Sequence, residues 1–283
     1  MLIRFYIFLF VLFAFTNCEL VVNIDLPETP PKLVVVSFIS PQDTLLRVYV
    51  GESVPIFQRG NNVNNPPKII ANATVQMISD TKSVTFIYKK EGYYDIKATN
   101  FLIEAGKTYK IEVSTPDGKR AKSKCTIPAQ QNTSLQVKLE NTQDSYTYAA
   151  QAAWKDEGTE NNFYRLMGFG MAYLGPSEPI YYSDDVLMDW RGTDVGRQGT
   201  SISIRPDFNK YGAGTIPFPD NKEHYMLILL NTDEAYHKYI TTRENAYYND
   251  GNPFAEPIPV YTNIDGGLGI FAGYQQYRLE VLK

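Results

Sequence analysis

Histidine and cysteine are scarce. The 283 residues hold two of each, His224 and His237, Cys18 and Cys125. With no H-E-x-x-H and no C-x-x-C spacing, nothing in the sequence builds a tetrahedral zinc site. Basic charge is also short: 27 Lys and Arg face 31 Asp and Glu, for a formal net charge of −4. The surface therefore offers no electrostatic attraction to nucleic acid or anionic lipid. No G-x-S-x-G elbow occurs, and Gly266-Gly267-Leu268-Gly269 lacks the Lys-Ser/Thr of a phosphate loop. These absences predict a protein with no metal, no cofactor and no catalytic constellation, and therefore not an enzyme. Beyond the first eighteen residues, no apolar run approaches the roughly 20 residues of a membrane-spanning helix.

One apolar run stands at the start. Met1 to Arg4 is a short basic n-region, and Phe5 to Phe15 is unbroken apolar sequence ending in Thr16-Asn17-Cys18. That length suits the h-region of a signal peptide over residues 1–17. The segment resembles a bacterial lipobox, with Phe15 in place of the usual Leu and Asn17 in place of a small residue. It implies lipidation of Cys18 by acyl chains such as palmitate, and anchorage to a membrane. Ordinary secretion with cleavage after Ala14 or Thr16 is the alternative. Cys125, in AKSKCTIP, then has no partner and reads as a buried strand thiol.

Residues 18–31 close on Pro30-Pro31 and read as a tether. From 32 to 128 short β-branched runs alternate with turn signals: 33–39, 45–50, 73–78, 84–88, 93–98, 108–113 and 121–127. About seven strands at this spacing predict an immunoglobulin-like β-sandwich. A polar joint over 129–134 leads into a second domain, 133–283. It has strands predicted at 135–140, 146–154, 163–173, 201–205, 225–231 and 277–282, and one helix capped by Asn231 or Thr232, with Asp233 and Glu234 favouring its N-terminal dipole and helical spacing from Ala235 to Tyr247. The expected fold is all-β: the sandwich, then a strand-rich domain carrying one helix. The stretches 174–200 and 206–222 read as irregular.

The chain has 21 Tyr and 15 Phe, most expected in the core and across strands. Tyr181, Tyr182, Trp190 and Tyr211 fall in the two irregular stretches and are the candidate contacts for a ligand or partner. Asp184, Asp185 and Asp189 stand near Trp190. Such carboxylates suit a sugar or calcium site, but the spacing is not that of an EF-hand and a solvated loop face is the expected reading. The glycines at 266, 267 and 269 are expected to supply positive φ in a tight turn before Ile270-Phe271, shaping the end of the second domain's core.

Several stretches together carry a resemblance: the leader with Cys18, Pro31-Lys32-Leu33-Val34-Val35, Ile39-Ser40-Pro41-Gln42-Asp43-Thr44, Glu104-Ala105-Gly106-Lys107-Thr108-Tyr109 and Cys125-Thr126-Ile127-Pro128. Asn252-Pro253-Phe254-Ala255-Glu256-Pro257 and Asn263-Ile264-Asp265-Gly266-Gly267-Leu268-Gly269-Ile270-Phe271 belong with them. The chain resembles the Bacteroidota lipoproteins catalogued as domain of unknown function 4249. The resemblance implies an outer-membrane lipoprotein, often encoded beside a TonB-dependent receptor, and supplies no catalytic residue. The expected function is an accessory binding subunit to such a receptor in nutrient uptake. A free-standing surface lipoprotein binding glycan or peptide is the alternative, and a hydrolase a minor one.

Overall fold

A computed structural model describes residues 30–54, 68–80, 82–156, 158, 161–173, 175, 181–196, 198–210, 218–249, 256 and 258–283, with Tyr181 described by its backbone alone. The first part holds β1 (Leu33–Ile39), β2 (Leu45–Glu52), β3 (Lys68–Ile69), β4 (Thr74–Ile78), β5 (Ser83–Thr85), β6 (Ile87–Lys90), β7 (Tyr93–Lys97), β8 (Thr108–Ser114) and β9 (Arg120–Thr126). The second holds β10 (Gln136–Asn141), β11 (Thr147–Lys155), β12 (Phe163–Ala172), β13 (Tyr181–Thr193), β14 (Ser201–Ile204), β15 (Asp207–Asn209), β16 (His224–Thr232), helix α1 (Glu234–Asn249) and β17 (Gly267–Leu282).

Alternation does most of the work. In β8, Tyr109, Ile111 and Val113 turn inward while Lys110 and Glu112 face solvent. β1 likewise buries Leu33, Val35 and Ile39. A four-stranded sheet, β5-β4-β8-β9, covers one face of β1, β2 and β7. Tyr109 returns its hydroxyl to the backbone upstream, accepting from Glu104 N–H at 2.7 Å and donating to Leu102 O at 3.3 Å, a contact of the kind that immunoglobulin-like sandwiches use at a corner. The run expected as one strand over 84–88 is two. Phe86 is buried between β5, which pairs β4, and β6, which pairs β7, because the chain crosses here from one sheet to the other.

In the second part, β10, β11, β14 and β15 form another four-stranded sheet over the inner face of β12, β16 and the latter half of β17. The stretch 174–200, expected to be irregular, contains β13, thirteen residues long. Its alternation is broken by register shifts opposite Gly168, Phe169 and Met171, and adjacent Leu187 and Met188 are both buried; β-bulges of this kind erase the period of two. The expected strand at 277–282 is only the tail of β17, whose sixteen residues extend about 50 Å at 3.3 Å per residue.

β17 joins the two parts. Its first half, Gly267 to Gly273, pairs parallel with β1, and its second half, Tyr274 to Leu282, pairs antiparallel with β16. The large sheet thus crosses the expected division between 32–128 and 133–283. Ile264 and Phe271 belong to the first core, where the glycine-rich element had been expected to close the second. Helix α1 lies across the junction on the outer face, packing Tyr236 and Ile240 against Val36, Phe38, Leu230 and Ile270. Asp233 caps it: Oδ1 accepts Tyr236 N–H at 2.7 Å, and Oδ2 accepts Gly273 N–H of β17 at 2.8 Å.

The glycines are explained by this junction, within the strand as well as before it. Gly266 (φ +79) precedes β17, and Gly269 (φ +110) lies inside it. A Cβ on Gly269 would stand 2.1 Å from Val35 O of β1. Asn263 bonds to Phe271 in both directions, Nδ2 to O at 2.7 Å and N–H to Oδ1 at 2.9 Å, which fixes the entry to the strand.

Candidate functional site

Side chains on one face of a sheet form rows across the strands, since register partners share a face. On the outer face of the second part, one row joins Val186, Phe169, Met226 and Glu280; further towards the same end Tyr182 pairs with Met171, and His224 with Leu282. The bonds of α1 to the sheet fall on earlier rows, through Arg165 to Tyr236 and Arg191 to Glu244. The last rows therefore keep Tyr182, Val186 and Leu282 exposed, at 49%, 45% and 45%. The same end carries an aromatic stack: Tyr173 on Phe218 with centroids 5.5 Å apart, and Phe218 on His224 at 3.8 Å. His224 bridges two carboxylates, Nδ1 to Glu280 at 2.5 Å and Nε2 to Asp220 at 3.0 Å. Burial opposes the imidazolium, but these two bonds outweigh it and lift the His224 pKa above its ordinary value.

The structure disperses the aromatics singled out in the sequence. Tyr182 is exposed on this strip, next to Tyr181 in β13. Trp190 is not a free anchor; it packs edge-on against buried Trp154 at 5.6 Å, inside the second core. Tyr211 and Cys18 lie outside the described residues. The three aspartates do not converge either. Asp189 forms a bidentate pair with Arg165 at 2.8 and 2.7 Å, while Asp184 and Asp185 face solvent. His237 lies against Phe163 at 5.2 Å, and burial, aided by nearby Arg191, lowers its pKa. Among the described residues, no group of three His, Cys, Asp or Glu is arranged around a metal position.

A second feature had no signal in the sequence. Where the two cores meet, a cleft of about 660 Å³ is bordered by Gln130, Asn161, Asn162, Asn231 and Asp233. Polar bonds tie the 128–132 segment to the strands beneath: Gln275 Nε2 donates to Pro128 O at 2.6 Å, Asn231 Nδ2 to Gln130 O at 3.1 Å, and Asn132 Nδ2 to Lys155 O at 2.7 Å. Below it lie Asp156 and Asp194, 0% and 1% exposed. Asp156 follows β11, Asn162 precedes β12, Asp194 follows β13 and Asn231 lies in β16, so no local spacing could have flagged them.

A family model described as domain of unknown function (DUF4249) matches residues 20–280. No curated protein matches the chain. Among solved structures, a cytokine receptor complex is 11% identical with a TM-score of 0.25, covering 72% of this chain and 86% of that one. A DUF3823 family protein from Parabacteroides merdae is 11% identical at 0.22, covering 72% and 92%. A chitinase from Bacillus thuringiensis is 13% identical at 0.20, covering 68% of this chain and 29% of its own. At these TM-scores the likeness carries no argument about function.

Proposed function

The chain belongs to the DUF4249 family, a domain of unknown function, and we propose that it acts as a lipid-anchored, non-enzymatic binding protein of the bacterial outer membrane. In this reading it is the accessory subunit of a TonB-dependent receptor. The observation that carries the proposal is the exposed strip of Tyr182, Val186 and Leu282 beside the Tyr173–Phe218–His224 stack. Aromatic and aliphatic side chains left open on a sheet face, rimmed by charge, suit contact with a protein. Its position supports the reading too. Leu33, where the tether enters, pairs with Gly267, and Leu282 lies at the other end of the same strand, about 50 Å away at 3.3 Å per residue. An anchor at Cys18 would then leave the strip projecting from the lipid.

Extraction of the tagged protein in mild detergent tests this. A large β-barrel should co-purify in near-equal amount, and Tyr182→Ala with Val186→Ala should weaken the association while leaving the circular dichroism and melting unchanged. A Cys18→Ala protein should lose acylation and detergent partitioning. Failure of any barrel to co-purify after cross-linking in intact cells would sink the receptor reading. The second reading, a free-standing module for glycan or peptide, draws support from the cleft of about 660 Å³ between the cores.

A further inference from the structure

His224 stands between two carboxylates that a neutral ring cannot serve together. Nδ1 lies 2.5 Å from Glu280 Oε1, and Nε2 lies 3.0 and 3.1 Å from the two oxygens of Asp220. An ionised carboxylate only accepts hydrogen bonds, and neutral imidazole has one N–H and one lone pair. Only the imidazolium, with a proton on each nitrogen, donates to both. The side chain is 13% exposed, so water is poorly placed to stand in for either partner. Phe218 stacks on the ring at 3.8 Å and 18°, with Tyr173 on Phe218 in turn, and a cation over an aromatic face gains more than a neutral group does.

Asp220 and Phe218 belong to the segment 218–222, whose own bonds are internal. Asn221 (φ +55) gives its N–H to Phe218 O at 2.8 Å, and Lys222 gives its N–H to Asp220 Oδ1 at 3.1 Å. The ladder resumes at Glu223, which exchanges backbone bonds with Lys283 and whose carboxylate is taken by the hydroxyls of Tyr148 and Tyr225. Lys283 sends its ammonium to Leu139 O. Among the described residues, the charged groups facing the imidazole are therefore Asp220 from this segment and Glu280 from β17. Leu282 is its register partner, and Tyr173, just past β12, reaches it only through Phe218. Glu280 is fixed in the ladder opposite Met226, whereas segment 218–222 is not. Loss of one proton leaves one carboxylate facing a lone pair. The bond to Glu280 is the shorter, so Nδ1 keeps the proton and Nε2 repels Asp220.

We propose that His224 is a proton-operated clasp, which as the imidazolium holds segment 218–222 on the end of the sheet and on losing its proton lets it go. Phe218 and His224 lie beside the exposed strip of Tyr182, Val186 and Leu282, so release reshapes the face assigned above to the receptor. That consequence rests on the receptor reading; the clasp itself does not. Burial opposes the imidazolium, but the bonds to Glu280 and Asp220 outweigh it and hold its pKa above the ordinary value of about 6.5. A pKa raised by folding means that the contacts are intact below about 6.5 and are lost as pH climbs through the raised value.

His237 is a built-in reference for the test, since its pKa is lowered, chiefly by burial. In imidazole NMR of the processed chain, His224 should titrate above about 6.5 and His237 below it. Asp220→Asn should bring the His224 titration down by about one unit. One unit is about a tenfold change in an equilibrium, so the released form should be about tenfold more populated once the proton is lost. Trypsin reads that population. Cleavage after exposed Lys222, relative to cleavage after exposed Lys90, should rise about tenfold between about pH 6 and pH 9 in the wild type and be fast at both in His224→Gln. His237→Gln should behave as the wild type does. A His224 titration at or below about 6.5, or a Lys222 ratio that does not change with pH, overturns the clasp. Should His224→Gln not fold, the Asp220→Asn titration and the wild-type ratio still decide. Recovery of the barrel in mild detergent should fall over the same pH range. Equal recovery at both ends overturns regulation of the strip, and absence of any barrel while the clasp titrates as expected defeats the receptor reading alone.

Discussion

Gly269→Ala is the sharpest test of the strand that unites the two parts. Gly269 has φ +110, a region left almost entirely to glycine, so a side chain there costs about 1–3 kcal/mol of backbone strain. Contact adds to this. The new Cβ would stand 2.1 Å from Val35 O, 2.9 Å from Val35 C and 3.1 Å from Val35 N. All three are backbone atoms, so no rotamer change relieves the clash, and β1 must move off β17. Losing about two ladder hydrogen bonds, at about 1 kcal/mol each, brings the total to about 3–5 kcal/mol. Typical net stabilities are only about 5–15 kcal/mol. Gly118→Ala is the matched control: its φ is +89, but nothing lies within 4 Å of the added Cβ, so only the strain of about 1–3 kcal/mol applies. Urea unfolding of both variants against wild type measures the difference. If Gly269→Ala costs no more than Gly118→Ala, the close approach of β1 and β17 is not what demands glycine, and the argument fails.

Trp190→Ala should destabilise the fold by about 2–4 kcal/mol, because it removes an edge contact on buried Trp154, whereas Tyr182→Ala, an exposed change, should stay within about 0.5 kcal/mol; denaturant midpoints compare the two. Cys125 is buried, and burial lifts its thiol pKa well above the usual value; it should resist iodoacetamide in the native protein and react fully in denaturant, and rapid native labelling would refute this. The carboxyl of Asp233 is pushed up to about 6, chiefly by burial. A pKa raised on folding contributes stability below the unfolded value near 4 that is lost as pH climbs through 6. Wild type should therefore lose up to about 3 kcal/mol across that window, and Asp233→Asn should flatten the slope; an unchanged slope in the variant would count against it.

The sequence alone was enough for the class of the fold and most of its strands. Alternation such as Tyr109-Lys110-Ile111-Glu112-Val113 is a local property, because a half-buried strand needs apolar residues at every second position. The helix was legible for the same reason, since its first-turn acids and apolar spacing lie close together in sequence, but its cap is Asp233 and not the expected Asn231 or Thr232. The family also needed no coordinates, since its motifs are read from the sequence and its model matches residues 20–280. Tertiary structure decided what depended on residues far apart in the chain. That Gly267 to Gly273 would lie beside β1, more than two hundred residues earlier, is set by which sheet edge is open when the strand arrives, and no window of sequence records that. β13 went unread because its bulges cancel the period of two, and Trp190 was misplaced with it. The exposed strip emerges only when the register sets Val186, Phe169 and Met226 in one row. The buried pair Asp156 and Asp194 was invisible for the same reason: each is an ordinary polar residue at the end of a strand until packing closes over both and removes their water.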